Sequence, residues 1–258
     1  MAGRIAWITV APVKGMALEQ RHAVELEPFG VLENRRFHVI GAGGRLMNGK
    51  QLGELQQVVV SWDEAGSILT FRFPDGTVAE GTVELGATVT TNFFGRDVEG
   101  RLAVGPWSGA LTSFVGRELR LVQCVEAGAG VDRGPAAVSI LSSGSLEAMR
   151  EAAGISEPID PRRFRMLFGV EGVGPHEEDE WIGSHVRVGE AVVAVRGNVG
   201  RCIVTSRHPE TGVRNLPTLD VLAEYRDAVE STEPLPFGVW AEVAEPGRVA
   251  LGDPVAPL

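Results

Sequence analysis

Cysteine is scarce in this 258-residue chain: there are two, Cys124 and Cys202. They form no C-x-x-C pair and stand far apart, so zinc ribbons and thioredoxin-like chemistry find no support. Two thiols also fall short of the set an iron–sulfur cluster takes, and no flavin fingerprint accompanies them. Long apolar runs are lacking too. The opening "MAGRIAWITVAPVKG" moves straight into strand-like alternation. It has neither the apolar core of a signal peptide nor the roughly 20 apolar residues of a membrane span. The expectation is a cytoplasmic protein without membrane contact, in whose reducing surroundings a disulfide is not expected. Positive charge is in deficit: 24 Lys and Arg against 34 Asp and Glu leave a formal −10. Such a chain is a poor electrostatic match for nucleic acid, and any basic site must be local. There is no P-loop, G-x-S-x-G or H-E-x-x-H motif, no internal repeat and no low-complexity tract.

What is present reads as β structure. Apolar residues make up 44% of the chain, enough for a core, and 33 Gly with 15 Pro favour short strands joined by turns. Strands are expected at "RIAWITV", "RRFHVI", "QQVVVSW", "SILTFRF", "TVAEGTVEL", "NFFGRDVEGRLAV", "ELRLVQC", "AAVSIL" and "RMLFGVEG", with a hairpin in "HVRVGEAVVAVRG". "FGVWAEV" and "GRVALGDPV" supply closing strands. Helices are expected at "WSGALTSFVG", at "SSGSLEAMREAAG" with serine caps and a closing Gly154, and at "TLDVLAEYRDAVES" after Pro217. The loop "GAGVDRG" divides the chain into 1–127 and 128–258. The fold class is mainly β with a few helices (α+β), in two domains.

Chemistry points first to "GNVGRCIVTSRHPETG". A lone cysteine is more often a small apolar filler than a ligand. Cys202, though, lies between glycines and the turn signal "HPETG", beside Arg201, in what reads as a loop mouth. Its thiolate would be a soft ligand for a thiophilic metal. Cys124 ends an apolar strand and reads as structural. Lys14 in "APVKG", Arg35 in "ENRRF", and Arg163 and Arg165 in "DPRRFRM" supply cations at strand ends. If "DPRRFRM" is extended, Arg163 and Arg165 share one side. Arginine forks recognise phosphate and carboxylate, while an isolated arginine is usually a solvated strand end. Ser142, Ser143 and Ser145 stand where a strand turns into a helix, able either to hold an anion or simply to cap. His176 beside "EEDEW" has no metal-ligand spacing and reads as a solvated acidic loop.

The segments "PVKG", "GVLENRRF", "AAVSILSSGSLEAM", "DPRRFRMLFGVEG", "EEDEWIGSHVRVG", "GRCIVTSRHPETG" and "LGDPV" come in an order that resembles the MOSC proteins. The likeness is to the two-domain form with an N-terminal MOSC β-barrel, in its amidoxime-reducing branch. That resemblance implies two β-barrel-like domains, an N-terminal MOSC-type barrel followed by a MOSC barrel. It implies a molybdenum cofactor in its molybdopterin form, with Cys202 as catalytic residue and metal ligand. Lys14, Arg35, Ser143, Arg163, Arg165 and Arg201 would bind the pterin and its phosphate; pyridoxal phosphate is not expected. The implied activity is two-electron reduction of N-hydroxylated small molecules, with electrons from an external reductase or ferredoxin. Alternatives are a non-redox sulfur or cofactor carrier using the same cysteine, and a metal-free scaffold reused for other small-molecule chemistry. The chain departs from the family pattern at Gly15, where Ser is usual, at Asn34, where Asp is usual, and at Met166-Leu167, where Pro-Asn is usual.

Overall fold

The opening alternation does form a strand, Gly3–Val10, but its hydrogen-bonding neighbours come from the far end of the chain. The computed structural model describes residues 3–134 and 137–258; Met1, Ala2 and the Ala136 of the expected strand "AAVSIL" lie outside the described residues. Seven strands close into a barrel in the order Gly3–Val10, Phe168–Glu171, Val138–Ser142, Pro236–Glu245, Ala191–Gly200, His185–Val188 and Pro254–Pro257, which pairs again with Gly3–Val10. Inward positions are almost all Val, Ile and Phe, among them Ile5, Ile8, Phe168, Val170, Val193, Val195 and Val239. β-branched side chains suit a pleated, fully covered face. The single parallel pair, Val138–Ser142 with Phe168–Glu171, is bridged by helix α1, Ser143–Ala152, as a parallel crossover requires.

The other half is built of two sheets. One runs Leu46–Met47, Phe37–Gly41, Leu119–Cys124, Arg96–Val104, Glu84–Phe93; the other is the meander Val59–Asp63, Ile68–Arg72, Val78–Thr82. They enclose a core centred on Phe37, Phe71, Trp107 and Leu121. Trp107 opens the expected helix Trp107–Val115, which Gly116 ends in the left-handed region, and its indole N–H donates to Leu69 O at 2.9 Å. The last expected helix is shorter than "TLDVLAEYRDAVES" and covers Thr218–Tyr225.

Packing crosses the chain-order division at 127/128. Ile5, Ile8, Val24, Leu26 and Val31 belong to the barrel core, and Ala23–Leu26 pairs with Gly247–Ala250. The chain therefore passes repeatedly between the halves near its start. On the way, Val13 bridges Phe37 and Arg35 N–H donates to Ala11 O. These crossings carry Lys14 and Arg35.

Two local expectations are corrected. "DPRRFRM" is not extended: Asp160 caps a 3-10 turn over Pro161–Phe164, and Arg165 follows at φ 55°. Proline at the first helical position and an Asp cap favour that turn over a strand. "EEDEW" is not solvated either, for Glu178 and Trp181 are buried in a 3-10 turn. Glu178 accepts from Ser142 N–H at 3.2 Å and from Ser145 Oγ at 2.7 Å, so one carboxylate of the acidic run is drawn in to the start of α1.

Two histidines are held in the neutral form, His38 buried and His176 half-buried. Burial, with Lys14 nearby, pulls His38 down to about 3, and burial, with Arg226, pulls His176 to about 4. Below pH 6.5 the unfolded chain takes up protons that these imidazoles refuse in the fold, so both make stability fall as pH drops. Glu178, raised by burial, acts in the opposite sense. The urea midpoint of His38→Gln should accordingly fall less between pH 7 and pH 5 than that of the wild type. Parallel falls in the two proteins would contradict this assignment.

Candidate functional site

A cleft of about 180 Å³ opens where the two halves meet. Lys14, Arg35, Arg163, Arg165, Arg201 and Cys202 all line it. Ser143 does not: the serine cluster is used in capping. Ser142 Oγ accepts from Ser145 N–H at 3.0 Å and Ser145 Oγ accepts from His176 N–H at 2.8 Å, while Ser143 forms the first residue of the helix.

Each cation is held by backbone carbonyls. Lys14 Nζ donates to Gly130 O at 2.9 Å. Arg35 donates to Asn34 Oδ1 and to Arg165 O, both at 3.2 Å, and Arg165 donates to Met16 O at 2.7 Å. Arg163 Nη1 donates to Arg207 O at 2.8 Å. Arg201 is the most enclosed, donating to Phe237 O at 2.8 Å, Phe164 O at 3.1 Å and Met166 Sδ at 3.0 Å. Its fork is thus committed to the protein and braces the Cys202 segment against the barrel. Burial lowers Lys14 and Arg35 from their usual values; burial and the neighbouring Arg35 bring Arg165 to about 9. Burial also brings Arg201 to about 9. The arginines among them still carry their charge at neutral pH.

Cys202 is half-buried in extended conformation, immediately before the 3-10 turn Ile203–Ser206. Thr205 fixes that turn by donating its hydroxyl to Cys202 O at 3.0 Å and by meeting Thr218 Oγ1 at 2.7 Å. The loop beyond docks on the other half, where Gly212, at φ 70°, lies so close to Gly53 O that a Cβ would sit 1.9 Å from it. Cys124 is in different surroundings. It packs with Leu46, Phe93 and Val98, 3.5 Å from His38 Nδ1, and burial pushes its thiol up to about 11.

The three departures from the family pattern have structural explanations. Gly15 has φ 88°, and a Cβ there would stand 3.1 Å from the backbone of Asn48 and Gly49. Asn34 Oδ1 accepts from Ala11 N–H and from Arg35, joining the crossing strands. Met166 supplies the sulfur that receives Arg201, and Leu167 fills the barrel core.

Sequence reasoning missed Lys50, Asp132, Arg133, Phe94 and Trp240, which also line the cleft. One signal was available: the chain has only two lysines, Lys14 and Lys50, and both are here. The cleft gathers seven cationic side chains, and Asp132 is the one acidic side chain lining it among the described residues. Partial desolvation against the cleft wall would raise the Asp132 carboxyl, but Lys14, Arg35 and Lys50 hold it at about 2. Also among the described residues, no group of three or more His, Cys, Asp or Glu is placed to hold a metal ion, and no helix is long and apolar enough to cross a membrane.

Comparison with known proteins fits this architecture. Residues 2–134 match the MOSC N-terminal beta barrel domain and residues 127–256 the MOSC domain. Over 97 residues the chain is 35% identical to mitochondrial amidoxime-reducing component 1 of Danio rerio, a match covering 36% of this chain and 29% of that protein. The YuaD protein from Bacillus subtilis shares the fold at TM-score 0.51 and 13% identity, over 99% of this chain and 94% of that one. With both halves of the chain matched in order, and a seven-stranded barrel following the N-terminal sheets, the chain belongs to the MOSC family, in the form that carries the MOSC N-terminal β-barrel domain.

Proposed function

We propose that the chain is a molybdenum-cofactor-dependent enzyme that reduces N-hydroxylated small molecules with electrons from a separate donor, a reductase or ferredoxin. The observation that carries this reading is one cleft holding a half-buried thiol and seven cations, in a chain of net charge −10. The donor chemistry fits an anionic pterin bearing a thiophilic metal. The protein offers one soft ligand and no cluster of further metal-binding side chains among the described residues, so the remaining ligands would come with the cofactor.

In this reading Cys202 ligates the metal. Lys14, Arg35, Arg163 and Arg165 receive the pterin phosphate, Arg163 with only its Nη1 already engaged, on Arg207 O. Arg201 acts as a positioning residue, because its donors are already committed to Phe237, Phe164 and Met166. Ser143, outside the cleft, is left without a cofactor role. When bound, the cofactor supplies a centre that passes two electrons to an N–O bond. The balance is R–NHOH plus two electrons and two protons, giving R–NH₂ and water. Asp132, held at about 2, is ionised at neutral pH and cannot donate those protons, which would then come from solvent at the cleft mouth. Two cysteines are too few for an iron–sulfur relay in this chain, hence the external donor.

Cys202→Ser should lose bound molybdenum and N-reduction together, while Cys124→Ser keeps both and shows at most reduced stability. Equal losses, or loss in Cys124→Ser alone, would sink the reading. Sulfane sulfur on Cys202 without metal would favour the carrier alternative. The purified chain loaded with cofactor should reduce benzamidoxime with a chemical reductant, and with pyridine nucleotide only when a flavoprotein is added. Turnover from pyridine nucleotide by the chain alone would contradict a separate donor.

A further inference from the structure

The Lys14 ammonium is only 6% exposed, yet its partner Asp132, 2.5 Å away, is 64% exposed. The carboxylate reaches in from the surface to the most buried amine of the cleft. It faces Lys14, Arg35 and Lys50 together, and no other acidic side chain lines the cleft among the described residues. The loop behind it is firmly seated. Arg96 Nη2 donates to Ala129 O at 2.9 Å and to Val131 O at 2.7 Å, and a Cβ on Gly130 would collide with Arg35 O. Asp132 itself has no such anchor beyond Lys14, and its exposed side chain can rotate into water while the backbone stays put. The cleft's volume of about 180 Å³ is also small; pockets for small ligands usually measure roughly 300–1,000 Å³.

We propose that Asp132 is a built-in anion plug: it occupies the position that the ligand's anionic group takes, and the ligand must displace it from Lys14 by a side-chain rotation. The plug neutralises a buried ammonium while the cleft is free of ligand, since an unpaired buried charge is costly. It thereby sets a threshold, weakening the binding of anions too poor to outcompete a tethered carboxylate. A ligand with several negative charges, such as a phosphate ester or diphosphate, engages Lys14, Arg35 and Lys50 at once and exchanges one carboxylate for more than one charge. The proposal rests on the cleft receiving an anionic ligand, the part it shares with the preceding reading, and not on the reaction carried out there.

The test is calorimetric titration of the full chain, free of cofactor, with inorganic pyrophosphate. Asp132→Asn should bind at least tenfold more tightly than wild type, and Asp132→Glu should bind as weakly as wild type. In a Lys14→Gln background, Asp132→Asn should make no difference. Because the chain has two lysines, isotope-labelled lysine gives two side-chain signals by NMR. The Lys14 signal should move on adding pyrophosphate to wild type, and also on Asp132→Asn alone. Equal affinities for wild type and Asp132→Asn would overturn the plug and leave the anion site standing. Absence of binding in both would overturn the plug and the anion site together.

Discussion

The structure depends on positive charge buried at a seam and held there mainly by carbonyl oxygens, with Asp132 on Lys14 the one carboxylate lining the cleft among the described residues. Lys14, Arg35, Arg163, Arg165 and Arg201 each donate to a main-chain oxygen, and three of those contacts run between the N-terminal region and the 130s or 160s. Carbonyl dipoles orient a cation without cancelling it. Burial accordingly pulls these groups below their usual pKa values, and the field in the cleft stays positive inside an acidic protein. Such an arrangement favours a ligand that brings negative charge, and it leaves Asp132 as the internal counterion.

Topology makes the seam possible. A barrel closed by the first and last strands of the chain forces the segments after Val10 and after Val31 to cross towards the other half. Lys14 and Arg35 sit on those crossings, each in a turn, Arg35 with left-handed backbone at φ 56°. From the opposite side come the 3-10 turns Pro161–Phe164 and Ile203–Ser206, each at the mouth of the barrel. Short turns of this kind project successive side chains in different directions, so that Arg163, Arg165 and Cys202 reach one cleft from two loops.

Much of this was legible in the residues. Alternation, Gly and Pro punctuation and serine caps located the strands and α1, and the contrast between a glycine-bounded loop and a strand end separated Cys202 from Cys124. Where local rules competed, the reading missed. Arg163 and Arg165 were expected on one face of a strand, whereas Asp160 and Pro161 start a turn that delivers both arginines by another route. Glu178 looked solvated in a run of four acids, because nothing local reveals that a distant helix start will draw one of them in. Ser143 was grouped with serines that turned out to cap. Asp132 and Arg133 lay unnoticed in the loop chosen as a domain boundary, since their importance comes only from the cations folded around them. Lys50 could have been found from the rarity of lysine alone.

The central claim is that Cys202 supplies a ligand to a molybdenum centre held in this cationic cleft. X-ray absorption at the molybdenum edge, on protein made in a host that synthesises the cofactor, tests it most directly. Wild type should show one more sulfur neighbour per molybdenum than cofactor retained by Cys202→Ser, or Cys202→Ser should retain none. The same sulfur count in both proteins, or wild type devoid of molybdenum, would contradict the account.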